Sequence, residues 1–402
     1  MKVKQSKKET ASVPQELLKE LPHARHSMII GIPKENNKLE RRLAFTPEAV
    51  DMLVEAGHRV VLEESAGWGV NYSDVAYSEA GASITADKNQ VFACDLVFKI
   101  APPTLEEIER MKKRSTIFSM LQLPDISTEL IQTMNVKQVH AVGYELISPD
   151  GITFPVRNSI SEIEGAASIS VASELLSNDK GGKGILMGGV PGVSPTEVVI
   201  IGAGVAGTVA TRAALALGAT VKVFDSDLRK LRKLQNDLGV PVFTSVFQPN
   251  VMVNAFQTAD VMIGAMRYIN DPVRYLISKE AIRTMKKGAL IIDLRVNQGG
   301  CFETTSFLPA DHPLIFERHG VLHYCVPNLS SRVARTTAMA LSNIFVPLIV
   351  QMGEQGGAAT FPTADSGFRS GLYLYAGKLV NNYVAKHFNL PAHDIGLFLS
   401  AY

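Results

Sequence analysis

From residue 28 onward, short apolar runs alternate with longer segments whose apolar residues recur every three or four positions. SMIIGIP (27–33), RVVLEE (59–64), ACDLVFKI (93–100), STIFSML (115–121) and AVGYELI (141–147) read as buried strands. Between the first two, TPEAVDMLVEAGH (46–58) reads as a helix. Thr46 is placed to cap it, Pro47 stands at its first position and Gly57 ends it. Strands alternating with helices predict a parallel α/β unit.

A Gly-rich connector, NDKGGKGILMGGVPGVSP (178–195), breaks the pattern and is expected to form a loop or short hairpin. The alternation then resumes with TEVVII (196–201), VKVF (221–224), ADVMIGAM (259–266), GALIIDL (288–294) and VLHYCVPNL (321–329). Helical patterns at 336–352 and 379–388 close the chain, and no fixed-period repeat is present. The first 27 residues are polar, with no apolar core of a secretory signal. They are expected to be an arm with one short amphipathic helix near 14–21.

Composition narrows the partners. A formal charge of +1 gives no bulk attraction to nucleic acid or membrane. No apolar run reaches the ~18 residues that span a bilayer. The cysteines, Cys94, Cys301 and Cys325, are odd in number and lack metal-ligand spacing. The expectation is reduced thiols, a cytoplasmic location and no metal.

The strongest motif is IIGAGVAG. Gly202, Gly204 and Gly207 keep G-x-G-x-x-G spacing, after an apolar strand and before an Ala-rich helix. In a dinucleotide site the first glycine makes the tight turn, the second lets backbone approach a pyrophosphate, and the third lets helix pack on strand. Ala203, Val205 and Ala206 fill the spacing and count as cofactor contacts. Asp225 ends the next strand, where a carboxylate accepts from ribose hydroxyls and repels a 2′-phosphate. NAD is therefore expected over NADP. Arg229 and Lys230 follow closely and pull the other way; Lys230 is grouped with the cofactor contacts.

IIDLRVNQGG (291–300) is less ordinary. A buried strand here delivers Arg295, Asn297 and Gln298 to its carboxyl end, with Gly299 and Gly300 to bring the backbone close. In an open α/β sheet that end faces the ligand.

Taken together, IGIPKENNKLERRLAFTPEAVDMLVEAGHRVVLEESAG, CDLVFKI, ILMGGVPGVSPTEVVIIGAGVAGT, IIDLRVNQGGCFETT, VPNLSSRVARTTAMALSN and GLYLYAGKLVNNYVAKHF resemble one family. It comprises alanine dehydrogenase and the NAD-binding subunit of nicotinamide nucleotide transhydrogenase. The resemblance runs from about residue 28 to the end. It implies an α/β fold of two Rossmann-like domains with parallel sheets, the NAD domain inserted in the substrate domain. The expected boundaries are an extension at 1–27, a substrate domain at 28–156 plus 334–402, and an NAD-binding domain at 157–333. It also implies a homo-oligomer, hexamer or dimer, acting on a small keto acid or amino acid.

The resemblance assigns roles residue by residue. Arg42, in ERRLAFTP, matches the arginine that grips the substrate carboxylate. Lys99, in DLVFKI, matches the lysine at the substrate carbonyl. Ser161 matches a serine near the pyrophosphate and nicotinamide, and Asn328 and Leu329 match the loop that closes over the nicotinamide. Two positions depart. Gln122 stands where the family has its catalytic histidine, and Asn297 where it has its catalytic aspartate. Neither amide titrates. His140 and His323 read as strand residues rather than substitutes. Arg295 has no counterpart in the family motif; it is read either as a second anion contact or as the neutraliser of Asp293. Three functions stay open: an NAD-dependent alanine dehydrogenase, a related imine or keto-acid dehydrogenase of the saccharopine type, or a transhydrogenase-like NAD-binding module that does not deaminate.

Overall fold

The computed structural model describes residues 25–121, 126–266, 276–305 and 312–399. Gln122 and the amphipathic segment near 14–21 lie outside the described residues.

The chain builds two sheets. Strands β1 (Ile29–Ile32), β2 (Arg59–Glu63), β3 (Ser83–Thr85), β4 (Leu96–Phe98), β5 (Thr116–Ser119) and β6 (His140–Gly143) form the first. Strands β7 (Glu197–Ile201), β8 (Thr220–Phe224), β9 (Phe243–Ser245), β10 (Val261–Gly264), β11 (Leu290–Asp293), β12 (Ile315–Arg318) and β13 (Val321–Tyr324) form the second. The end of the chain returns to the first sheet with β14 (Leu372–Tyr375) and β15 (Lys378–Leu379). The orders are β15-β14-β6-β5-β4-β1-β2-β3 and β12-β13-β11-β10-β7-β8-β9.

The two sheets are mostly parallel, as the α/β pattern leads one to expect, and each is mixed at one edge. β12 runs antiparallel to β13, and β14 runs antiparallel to both β6 and β15. The hairpins turn through His319–Gly320 and Ala376–Gly377, all four with positive φ. Two-residue turns with positive φ at both positions match strand twist, and a connection so short cannot cross over to a parallel neighbour.

Alternate residues of one strand feed cores on opposite faces. Leu96 and Phe98 pack on one side of the first sheet and Val97 on the other. Val198 and Ile200 pack on one side of the second, Val199 and Ile201 on the other. Faces covered on both sides explain why these strands are apolar runs rather than alternating patterns.

Two 21-residue helices, Pro155–Leu175 and Ala334–Glu354, carry the chain from the first sheet to the second and back. The helical stretch Leu329–Glu354 is long and apolar enough to cross a membrane, but Leu341, Phe345 and Ile349 bury it in the core of the first unit. The first predicted helix forms over Pro47–Glu55. Thr46 Oγ1 accepts from the Ala49 backbone N–H, and Gly57 follows at φ 94°. The Gly-rich connector closes on itself between Val190 and Val193. His140 and His323 are both buried in strands, and the three cysteines are buried free thiols.

Candidate active site

The carboxyl ends of the strands supply the site. β7 runs into Gly202–Gly207, and each glycine meets a different requirement. Gly202 has φ 110°, a left-handed conformation that other residues rarely hold. A Cβ on Gly207 would come within 1.8 Å of the Gly202 carbonyl oxygen, so helix and turn touch there. A Cβ on Gly204 would meet nothing within 4 Å. That open space lies at the N-terminus of the helix Val205–Ala216, which no side chain caps. Uncapped N–H groups above an open space fit a diphosphate. Ala203 and Ala206 are buried in this turn, and Val205 is exposed at the helix start.

Asp225 follows β8 and is buried. Its Oδ2 accepts from the Ala203 N–H at 2.8 Å and its Oδ1 from the Asp227 N–H at 2.9 Å. The carboxylate thus clamps the glycine turn. Roughly half of a carboxylate's acceptor capacity remains for a ribose. Lys230 Nζ stands 3.9 Å from Oδ2 and is half-exposed.

The first unit brings two buried cations. Arg42 is 3% exposed. It forks onto Glu40, Nε to Oε1 at 2.7 Å and Nη2 to Oε2 at 2.5 Å, and its Nη1 donates to Ser330 Oγ at 3.0 Å. Burial works against the charge, but the Glu40 carboxylate outweighs it and raises the pKa above the usual range. The neutral Ser330 contact is the one an incoming carboxylate could replace with a stronger, charge-assisted bond. Lys99 follows β4. Its ammonium lies 2.9 Å from Glu35 and 3.6 Å from Glu107. Burial again lowers the pKa, and the two glutamates more than reverse it, so Lys99 is held protonated.

After β11 the chain folds into a 3-10 turn, Val296–Gln298, ended by Gly299 and Gly300, both at positive φ. Asp293 organises this turn. It accepts from the Arg295 N–H at 2.9 Å, from the Cys301 N–H at 2.8 Å and from the Thr305 hydroxyl. Asn297 Nδ2 donates to Asn328 Oδ1 at 3.1 Å. Asn328 itself has φ 53°, the left-handed region that asparagine tolerates best after glycine. Leu329 follows it into the core of the second unit, and Ser161 is buried on the helix Pro155–Leu175.

Some of these parts meet at a cleft of about 650 Å³, whose lining includes Arg42, Asn297 and Asn328 but not Lys99, Ser161, Asp225, Leu329 or the glycine turn. Arg42, Glu40 and Asn37 line it from one side, Ile100 to Leu105 and Met120 from the end of the first sheet, and Asn297, Pro327 and Asn328 from the second unit. Residues that lie as far apart in the sequence as Asn37 and Asn328 thus share one opening.

Two family descriptions match the chain: alanine dehydrogenase/PNT, N-terminal domain, over residues 31–164, and alanine dehydrogenase/PNT, C-terminal domain, over 168–382. The chain belongs to the alanine dehydrogenase/PNT family. It is 37% identical over 359 residues to the alanine dehydrogenase of Bacillus subtilis, covering 89% of this chain and 94% of that one. It is 35% identical to the Mycolicibacterium smegmatis alanine dehydrogenase, over 93% of this chain and all of that one. A solved L-alanine dehydrogenase superposes with a TM-score of 0.83 at 34% identity, covering 90% of this chain and 99% of the other. A transhydrogenase from Sinorhizobium meliloti shares the fold, with a TM-score of 0.73 at 22% identity over 88% and 99% of the two chains.

Beside the residues that the family pattern picks out stand others that sequence reasoning missed: Glu35, Glu40, Glu107, Glu164 and Ser330. Glu40 was within reach, two positions before Arg42. Glu164 lies three positions after Ser161, on the same face of a helix. Glu35, Glu107 and Ser330 carry no sequence signal, since only folding brings them to Lys99 and Arg42.

Proposed function

We propose that this cleft carries out the reversible, NAD-linked oxidative deamination of a small amino acid, with L-alanine the substrate that the family resemblance favours. The supporting observation is the shared cleft: Arg42 from the first unit and Asn297 and Asn328 from the second line one cavity. Gly202–Gly207, Asp225, Ser161, Asn328 and Leu329 would hold NAD, with Lys230 at the ribose end. Bound there, NAD supplies the hydride acceptor.

In this reading Arg42 binds the substrate carboxylate and Lys99 polarises the carbonyl of the keto acid, or the carbon that becomes it. Oxidative deamination also requires that the amine lose a proton and that water attack the imine. A positioned acid–base group contributes typically ~10²–10⁴-fold. Asn297 and Gln122 stand where the family places those groups, and we propose that they orient water and substrate by hydrogen bonds without titrating. A homo-oligomer in the cytoplasm and the division of the chain at about 156 and 333 belong to the same proposal.

The pairing of Asn297 with Asn328 favours one second reading: a related dehydrogenase whose imine or keto-acid substrate brings its own amine. One assay separates the two. NADH, ammonium and pyruvate are mixed with the protein and loss of NADH absorbance is followed across pH. Turnover with a pH-dependent rate is expected. Intact NADH binding with no consumption of pyruvate and ammonium would sink the alanine reading and leave the second.

A further inference from the structure

Glu164 occupies an unusual place. It sits on the helix Pro155–Leu175, is 7% exposed, and is one turn beyond Ser161. The next residue, Gly165, lies against the dinucleotide turn, where a Cβ would come within 2.3 Å of the Ala206 carbonyl oxygen. On its other side Glu164 Oε1 accepts from Ser330 Oγ at 3.4 Å, and the Ser330 backbone N–H also faces the carboxyl. That same Ser330 Oγ accepts from Arg42 Nη1. Arg295, from the turn after β11, faces Glu164 electrostatically, and its buried Nε has no hydrogen-bond partner among the described residues.

The charges around this point do not balance. Arg42 and Arg295 are the cations that act on Glu164. Glu40 is forked onto Arg42, and Asp293 lies beside Arg295. With Glu164 ionised, three carboxylates meet two guanidinium groups before any substrate carboxylate arrives. The 3-10 turn Tyr144–Leu146, also packed against this helix, adds Tyr144 near Arg42 and the acid Glu145 rather than a further cation. Lys99, nearby, is itself outnumbered by Glu35 and Glu107. A buried excess of negative charge is costly, and the group that neutralises most readily is the one with fewest strong donors. Glu40 accepts three hydrogen bonds from Arg42 and Asp293 three from two backbone N–H groups and Thr305. Among the described residues, Glu164 has only the Ser330 pair. Burial raises its pKa, and the two arginines do not fully reverse the rise.

We propose that a substrate carboxylate binds beside Arg42 with uptake of one proton by Glu164, so that Glu164 sets the pH range in which the cleft accepts an anion. Ionised, Glu164 competes for the field of Arg42 and Arg295; protonated, it leaves that field to the substrate. Its part is positioning and electrostatic, acting through Ser330 and the arginines. The proposal rests on the assignment of Arg42 to the carboxylate.

The test is calorimetric titration of the NADH-bound protein with pyruvate, and with acetate as a bare carboxylate, in two buffers of different ionisation enthalpy. Uptake approaching one proton is expected when Glu164 is ionised beforehand. Affinity should then fall by up to about tenfold per pH unit above the Glu164 pKa. Glu164→Gln should abolish both effects, Glu164→Asp should keep them, and Ser330→Ala should move the slope to higher pH. Binding with no proton uptake by the wild-type protein at any pH across the titrated range, binding of neither probe, or uptake that persists in Glu164→Gln would overturn the proposal; the last would point to Glu35. Proton-coupled binding without NADH consumption in the presence of ammonium would defeat the deamination reading alone.

Discussion

Asn297 and Asn328 join the two loops that follow β11 and β13 through a single hydrogen bond, Nδ2 to Oδ1 at 3.1 Å. An aspartate at 297 could still pair with Asn328, because the Asn328 amide can turn its NH₂ toward a carboxylate. The Asn297→Asp change therefore should not break the loop contact. Together with Gln122→His it should raise turnover of pyruvate and ammonium by about 10²–10⁴-fold, read from steady-state rates across pH. No gain in the double variant would mean that the pocket serves a different substrate.

Gly204 and Gly207 should respond oppositely to alanine. In Gly207→Ala the new methyl meets the Gly202 carbonyl at 1.8 Å, and overpacking of this kind costs typically ~1–3 kcal/mol. Its thermal unfolding midpoint should drop. Gly204→Ala meets no atom within 4 Å, and its φ of −75° suits alanine. That variant should melt like the parent yet bind NADH roughly tenfold more weakly or worse, a loss of ~1.4 kcal/mol. NADH fluorescence titration reads the second effect; unchanged affinity in Gly204→Ala would place the diphosphate elsewhere.

Asp225 holds the glycine turn and, on the proposed reading, also selects against a 2′-phosphate; Asp225→Asn should expose both. An amide can accept from only one of the Ala203 and Asp227 N–H groups and turns its own NH₂ on the other. An unsatisfied buried donor costs about 1–3 kcal/mol. Loss of the carboxylate also removes the repulsion of a 2′-phosphate. Lower stability should accompany a shift of the NADPH to NADH preference in kcat/KM toward NADPH. A variant as stable as the parent would refute the clamp.

Acid should destabilise the fold through two histidines. Burial lowers the pKa of His140, beside Arg114, to about 4. Burial likewise lowers His323 to about 4, against a weaker opposing hydrogen bond to the Val321 carbonyl. Unfolded histidine takes up its proton near 6.5. The stability these neutral rings contribute is therefore full above about pH 6.5 and is lost as pH falls toward 4, by up to roughly 3 kcal/mol each. Urea midpoints measured between pH 7 and 4.5 should fall steadily, and His140→Gln should flatten part of that slope. A midpoint constant over the range would refute the assignment.

Much of the architecture is legible in the chain itself. Apolar runs spaced by helical segments state a doubly covered parallel sheet, because covered faces need no alternation. G-x-G-x-x-G before a helix and an acid eighteen positions on state a dinucleotide turn, because each glycine answers a local steric demand. Local signals likewise mark Thr46, Pro47 and Gly57. What tertiary structure decided is which charges meet. The edge strands turned antiparallel through two-residue hairpins that leave no room for a crossover. Lys99 found Glu35 and Glu107, Arg42 found Ser330 almost three hundred positions away, and Glu164 came into the field of both Arg42 and Arg295. Such encounters have no sequence period. They follow from the two long helices that fold one unit's strand ends against the other's, and burial then forces the charges gathered there to settle with one another.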